Sequence, residues 1–388
     1  MKKIRYGIIG VGSQGGYYAR YLSGGMAAMG MAPTNACLGA LCDIDPAKRT
    51  MCEIMYPETP FFSDYRELIA SGSVDAIVTT VPHYFHTEMA IYALEHGMPV
   101  IVEKPAGVYA KAVREMNECA ARHPDVAFGI MFNQRTNKLY KQLRELVAGG
   151  SMGSIRRTNW IINSWWRPDS YYRQSAWRAT WGGEGGGVLL NQCPHNLDLL
   201  QWICGMPSRV QAFCHEGKWH DIEVEDDVTA YLEYPNGATG VFITTTGDAP
   251  GTNRFEVSGT RGKLVCENNK LTFFKLSCDL AEYTRTEPQG FKKPDCEVIE
   301  VETDGINLQH VAVLNAFAAH ILRGEKLVAE GYEGINGLTL SNAMHLASWL
   351  GHAVDVPFDE QLFLDELNKR RATSRLKTED GGKVEAQG

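Results

Sequence analysis

The densest chemistry in the chain lies at residues 182–198, Gly-Gly-Glu-Gly-Gly-Gly-Val-Leu-Leu-Asn-Gln-Cys-Pro-His-Asn-Leu-Asp. Pro194 suits the first position of a helix and Gly205 its C-terminal cap. His195 then falls in the first helical turn, where the dipole disfavours imidazolium and keeps the ring neutral. A neutral imidazole is what a general base must be before it takes a proton. Asp198, three residues on and on the same face, is placed to orient that ring. The glycines before it let backbone come close to a ligand. Cys193, His195 and Asp198 fit no standard zinc spacing, so no metal is expected.

Two further groups carry chemistry. In Glu103-Lys104-Pro105 the proline restrains Lys104 to extended backbone at a strand end. A buried lysine there can accept, relay or donate a proton, or hold a cofactor phosphate. The other group is Gly10-Val11-Gly12-Ser13-Gln14-Gly15, a G-x-G-x-x-G turn. Gly10 serves the tight turn, Gly12 the approach of a pyrophosphate and Gly15 close helix–strand packing, with phosphates on the helical N–H groups. Asp43 closes the next strand, where a carboxylate accepts from a ribose diol and rejects a 2′-phosphate, which favours NAD over NADP. It lies 28 residues past Gly15, against the usual ~20. The surplus, Gly24 to Ala36, reads as a lengthened loop.

These groups need elements to hold them. Strand and helix patterns alternate through residue 133: strands at 4–9, 38–42, 74–81, 100–102 and 126–132, with helices starting at Gly16 and spanning 87–96 and 109–122. Repeated β-α-β units make a doubly wound parallel sheet, whose ligands sit beyond the carboxyl ends of its strands. Three consecutive strands end there in polar groups: Pro82-His83 with His86, Glu103-Lys104, and Asn133-Gln134-Arg135. After residue 150 the period changes. Val228, Ala230, Leu232 and Tyr234 alternate with polar partners, Pro235-Asn236-Gly237 turns the chain, and 238–246 runs back. With further strands at 155–163, 209–215, 254–258, 263–267, 271–276 and 297–301, the second domain is a largely antiparallel sheet. Helices are expected at 308–322 and 332–350. The predicted division is an α/β nucleotide domain at 1–133, a substrate and oligomerisation domain at 134–367, and a frayed polar tail at 368–388.

At 388 residues with 44% hydrophobic and 22% charged content, the chain has the composition of a two-domain globular protein. A net charge of −8 argues against nucleic acid and anionic membrane as partners. No apolar run reaches membrane-spanning length, and Met1-Lys2-Lys3-Ile4 enters a strand without a signal peptide. Ten cysteines without a paired spacing read as reduced thiols, so a cytoplasmic location is expected.

On Gly10–Gly15, Asp43, Glu103-Lys104-Pro105 and Gly185–Asp198 the chain resembles the Gfo/Idh/MocA family, the glucose–fructose oxidoreductase and inositol dehydrogenase relatives, across about residues 1–360. The resemblance implies a Rossmann domain followed by an α/β domain with an open sheet that often joins subunits into a homo-oligomer. It also implies a sugar or cyclitol alcohol oxidised by tightly held NAD(P), with Lys104 and His195 as the proton-handling pair. Trp177-Arg178 resembles a family pair near the nicotinamide and is counted with the cofactor residues, together with Pro82, His83, His86, Glu103 and Asn133. Two positions depart from the pattern: Asn191 stands where many members carry aspartate, and His83 where asparagine often follows the proline.

Five tryptophans (160, 165, 166, 177 and 181) crowd into 22 residues with Arg167, Tyr171, Tyr172, Arg173 and Arg178. Aromatic faces and arginine forks suit sugar rings, so Trp165, Arg167, Tyr172 and Asn191 are the expected substrate contacts; a subunit interface has the same composition. The leading expectation is an NAD-dependent dehydrogenase acting on a secondary ring hydroxyl, C3 of a hexose or glycoside. Competing readings are an inositol dehydrogenase, a redox-neutral NAD-dependent glycoside-cleaving enzyme, and a non-catalytic NAD-binding sensor.

Overall fold

The computed structural model describes residues 2–377 and 383–385. In chain order the elements are β1 (Ile4–Ile9), α1 (Ser13–Leu22), β2 (Ala36–Cys42), α2 (Pro46–Met55), β3 (Phe61–Phe62), α3 (Tyr65–Ala70), β4 (Ala76–Thr79), α4 (His86–Glu95), β5 (Val100–Val102), α5 (Ala110–Arg122) and β6 (Phe128–Ile130). Then follow α6 (Lys138–Ala148), β7 (Ile155–Ile162), α7 (Asp169–Tyr172), α8 (Pro194–Cys204), β8 (Arg209–Glu216), β9 (Glu225–Glu233), β10 (Thr239–Thr245), β11 (Asn253–Gly259), β12 (Gly262–Glu267) and β13 (Lys270–Leu276). The last are α9 (Leu280–Thr286), β14 (Cys296–Val301), α10 (Gln309–Arg323), α11 (Gly334–Leu350), β15 (Val354–Asp355), α12 (Glu360–Arg371), β16 (Arg375–Lys377) and β17 (Lys383–Glu385). No described helix is long and apolar enough to cross a membrane.

The chain forms two units, one of residues 1–136 with Leu308–Leu338, the other of Asn137–Asn307 with Thr339–Gly388. In the first, β4, β5 and β6 are buried at every position, as strands covered on both faces must be. The parallel sheet runs β3-β2-β1-β4-β5-β6, so the order reverses between β1 and β4. Its register places Cys42, Ile9, Thr79, Val102 and Ile130 in one row at the carboxyl ends. The glycine turn, Asp43, Pro82-His83, Glu103-Lys104 and Asn133 all follow that row in the chain.

Residues 308–338 belong to this unit, which corrects a single cut at residue 133. Leu314, Phe317 and Ala318 of α10 are buried in one core with Ile4, Tyr6, Ile8 and Val78, and Tyr6 Oη donates to Leu314 O at 3.0 Å. Arg135, 2% exposed, pairs with Glu333 at 2.6 Å. The lengthened loop after α1 also has a task here. Asn315 Oδ1 on α10 accepts the N–H groups of Thr34 and Asn35 at 2.8 and 3.1 Å, and Met26 and Met31 pack on the same core.

The second unit is built on a nine-stranded sheet, ordered β14-β13-β12-β11-β7-β10-β9-β8-β15. Alternation along β9 buries Val228, Ala230 and Leu232 and exposes Thr229, Tyr231 and Glu233. Gly237 takes φ +82° in the hairpin turn. β10 pairs antiparallel with β9 on one side and parallel with β7 on the other. The remaining pairs are antiparallel. Helix α6 packs on α8, with the Arg144 guanidinium 4.1 Å from the Trp202 ring centre.

The expected frayed tail is corrected as well. Phe363 and Leu367 bury α12, and Ser374 Oγ donates to Glu223 Oε2 at 2.6 Å while accepting the Gly182 N–H at 2.8 Å. β16 then pairs with β17. Residues 378–382 and 386–388 of the tail lie outside the described residues.

Candidate active site

The three glycines of the first turn have distinct jobs. Gly10 sits at φ +91°, and a Cβ there would stand 2.7 Å from Thr80 O. A Cβ on Gly15 would overlap Gly10 O. A Cβ on Gly12 would meet nothing within 4 Å. Gly10 and Gly15 therefore build the turn, while the bare face of Gly12 opens outward at the start of α1. Space a side chain would fill, in front of helical N–H groups, fits a pyrophosphate. Asp43 Oδ2 accepts the Val11 N–H at 2.7 Å and Oδ1 the Asp45 N–H at 3.0 Å. The carboxylate is thus fixed against the glycine turn.

Beyond β5, Glu103 is buried, takes a hydrogen bond from Tyr18 Oη and accepts the Lys104 N–H at 3.0 Å. Burial pushes its carboxyl up; the Lys104 ammonium pulls it back down. The Lys104–Pro105 peptide is cis. His83 is buried in the turn after Pro82. His86 differs from its expected role as a cofactor contact. Its Nδ1 lies 2.7 Å from Pro105 O and its Nε2 2.8 Å from Val81 O, so both ring nitrogens are committed to backbone. His86 ties the loop after β4 to the loop that carries Lys104.

Asn133 is 2% exposed, and its Nδ2 lies 3.4 Å from Gln309 Oε1 and 3.0 Å from His310 Nε2. Its Oδ1 is buried without a hydrogen-bond partner, an acceptor awaiting a donor. His310 and Gln309 stand beside Asn133, a neighbourhood that sequence reasoning missed. Burial, aided by the Lys104 ammonium, holds the His310 pKa down to about 4, so this imidazole is neutral at pH 7. Its ring meets Tyr18 edge-on at 5.5 Å, and Gln309 has a left-handed φ of +44°. Asn133 and His310 are 177 positions apart, and no local pattern could have joined them.

In the second unit α8 starts at Pro194 and ends before Gly205, φ +83°, as predicted. His195 is its second residue and half-buried; Asp198, buried, accepts from Gln201 Nε2 at 3.0 Å. Two glycines of the run are required by packing. A Cβ on Gly187 would overlap Glu225 O, and one on Gly183 would overlap Trp177 O. Glu225, wholly buried, accepts the N–H groups of Gly187 and Leu189 at 2.8 and 2.9 Å and fixes the loop leading to α8.

The aromatic belt divides. Trp160 stacks on Phe255 at 4.2 Å in the sheet core, and Trp181 meets the stacked rings of His345 and Trp349 edge-on. Tyr172, expected as a substrate contact, is buried and donates to Thr246 Oγ1 at 2.8 Å. Its neighbour Tyr171 is the hub instead. The guanidinium of Arg167 lies 5.0 Å from the Tyr171 ring and 5.8 Å from that of Trp165; the guanidinium of Arg178 lies 4.6 Å from Tyr171 and 5.0 Å from Trp177. The Nε1 of half-buried Trp165 is shielded and lacks a partner. Asn191 donates Nδ2 to Glu184 Oε1 and faces Tyr171 Oη across 3.5 Å.

Residues 4–130 match the family described as oxidoreductases with an NAD-binding Rossmann fold, and 140–265 match the GFO/IDH/MocA C-terminal domain. Levoglucosan dehydrogenase of Pseudarthrobacter phenanthrenivorans is 24% identical over 68% of this chain and 74% of its own length. 1,5-Anhydro-D-fructose reductase of Ensifer adhaerens is 27% identical over 52% of this chain, which spans 60% of that relative. Among solved structures, the WlbA dehydrogenase of Bordetella pertussis, in complex with NADH and UDP-GlcNAcA, superposes with TM-score 0.74 at 24% identity. That match covers 92% of this chain and 100% of the other. A levoglucosan dehydrogenase with NADH and levoglucosan gives 0.75 at 19% identity, over 92% of this chain and 100% of its own. At such identities the likeness is one of fold.

Proposed function

Since the chain belongs to the Gfo/Idh/MocA oxidoreductase family and its first unit is an NAD-binding domain, we propose that it oxidises a secondary ring hydroxyl of a hexose or glycoside, at C3. The observation that carries this reading is the rim of the first unit, where the open face of Gly12 and the fixed Asp43 stand on the same row of strand ends as Glu103-Lys104. Relatives named for levoglucosan, anhydrofructose and inositol support the substrate class.

NAD, when bound, supplies the hydride acceptor. The chain supplies position and proton handling. Gly10, Gly12, Ser13, Gln14, Gly15 and Asp43 would hold the dinucleotide, and Pro82, His83, Glu103, Asn133, Trp177 and Arg178 its remaining contacts. His195 takes the hydroxyl proton as general base and Lys104 assists as the second acid–base group. Trp165, Arg167 and Tyr171 offer faces and forks to the ring, and Asn191 a hydrogen bond to a hydroxyl.

The test is incubation with NAD and a panel of methyl glucosides, free hexoses and myo-inositol, with NADH followed by absorbance and the new carbonyl located by NMR. A ketone at C3 with stoichiometric NADH is expected. Oxidation at C1, or turnover of sugar acids and of no hexoside or cyclitol, overturns the reading. Glycoside cleavage without net NADH would replace it with the redox-neutral reaction.

A further inference from the structure

Glu184 is the buried acid that the reaction as proposed leaves unused. It is 1% exposed, inside the glycine run, and meets Ala179, Asn191 and Arg178 in the second unit. Oε2 accepts the Ala179 N–H at 2.5 Å, Oε1 accepts from Asn191 Nδ2, and Arg178 Nη1 stands 3.6 Å from Oε1. The same Arg178 Nη1 donates to Tyr171 Oη at 2.7 Å, and Gln192 Nε2 approaches that oxygen at 3.3 Å. A phenol oxygen that accepts from two cationic or amide donors must send its own proton elsewhere. Asn191 Oδ1, 3.5 Å away, is the acceptor facing it. The four side chains close a directional ring in which Arg178 donates to Tyr171, Tyr171 to Asn191, and Asn191 to Glu184, with Arg178 beside Glu184.

We propose that Glu184 is a positioning residue that sets the polarity of Asn191, four residues before His195, so that the amide presents its carbonyl oxygen to a substrate hydroxyl. A carboxylate can only accept, so the amide nitrogen must turn towards it. The oxygen, which already faces the Tyr171 hydroxyl at 3.5 Å, has a second lone pair for recognition, and an acceptor selects an uncharged hydroxyl over a carboxylate or phosphate. This rests on the hydroxyl-oxidising reading above. Burial pushes the Glu184 carboxyl above the ordinary range, with Arg178 opposing and Glu225 adding to the rise; Tyr172 also feels its charge. Uptake of a proton turns Glu184 into a donor and removes the reason for Asn191 to hold its orientation.

Glu184→Gln keeps shape and loses the obligate acceptor. KM for the best substrate of the methyl glucoside and myo-inositol panel should rise about tenfold, the size of one charged hydrogen bond, with kcat within about threefold. NADH affinity, read by fluorescence, should hold. KM of the wild type should rise in acid, and that rise should vanish in this variant. The double variant Glu184→Gln/Asn191→Asp exchanges amide and carboxylate, again presents an acceptor, and should recover KM. A substrate-free arm uses protein labelled with ¹⁵N-asparagine, with the Asn191 side-chain amide assigned by its loss in Asn191→Ser. That resonance should shift as the pH is lowered in the wild type, as Glu184 takes up its proton, and stay still in Glu184→Gln. A resonance that does not move, or a double variant no better than Glu184→Gln, overturns the proposal. A titrating resonance without turnover of any hexoside or cyclitol keeps Glu184 in this role and sinks the sugar reading instead.

Discussion

In the proposed reaction His195 and Lys104 handle the proton. Replacing either by alanine should lower kcat by ~10²–10⁴-fold while NADH affinity, measured by fluorescence, survives. Equal loss of affinity in the Lys104 variant would make it a phosphate contact. In the proposed reading Asp43 selects NAD, and beside it Ile44 is 88% exposed. Asp43→Ser/Ile44→Arg should exchange NAD preference for NADP in steady-state kinetics, with some loss of overall rate because the Val11 N–H loses its acceptor. His310 offers a pH test. Its pKa falls from an ordinary 6.5 to about 4 on folding. Between those values the unfolded chain binds the proton and the folded chain does not, so stability should fall as pH drops from about 6.5 to 4, by up to about 3 kcal/mol. His310→Gln should flatten that slope in denaturant titrations. His195 was legible because Pro194 and Gly205 bracket its helix in the sequence. Glu184, His310 and the commitment of His86 were not, because a carboxylate buried among glycines and an imidazole delivered from a distant helix leave no spacing to read.

At the scale of elements, the first turn separates two kinds of glycine. Gly12→Ala adds a methyl to open space and should leave thermal stability unchanged while weakening NAD binding by about tenfold or more. Gly15→Ala drives a methyl into Gly10 O and should lower the melting temperature as well. Equal stability of the two variants would mean the turn is softer than drawn. The strands of both sheets could be read from runs and alternation, since burial on two faces or one writes itself into the period of the side chains. The parallel pairing of β7 with β10 could not, because nothing in either strand's own pattern names a neighbour some 80 residues away. Helix α6 escaped notice for another reason: its buried residues, Leu139 and Leu143, are few among charged neighbours.

For the whole molecule, the outer face of the nine-stranded sheet leaves Phe213 at 60% and Tyr231 at 40% exposure on neighbouring strands. We infer a homo-oligomer joined through that face. Phe213→Asp should shift wild-type sedimentation towards monomer with the secondary structure unchanged; a wild type already monomeric at micromolar concentration excludes the interface. The core of the first unit makes the other test. Phe317→Ala, 2% exposed and far along the chain from the strands it covers, should cost about 3–5 kcal/mol.

That discontinuity has a consequence for the order of events at the ribosome. All six strands of the parallel sheet have been synthesised by Ile130, yet Leu314, Phe317 and Ala318 arrive only after the whole run from β7 to β14. At ~5–20 residues per second the half-made unit waits on the order of ten seconds or more with an apolar face unfilled. Throughout that wait the Asn315 anchor for the loop at Thr34 and Asn35 is also missing. Nascent chains stalled just past Ile130 should therefore engage a chaperone that recognises exposed apolar segments and be cut readily by protease. Chains stalled with Leu338 clear of the exit tunnel should release the one and resist the other.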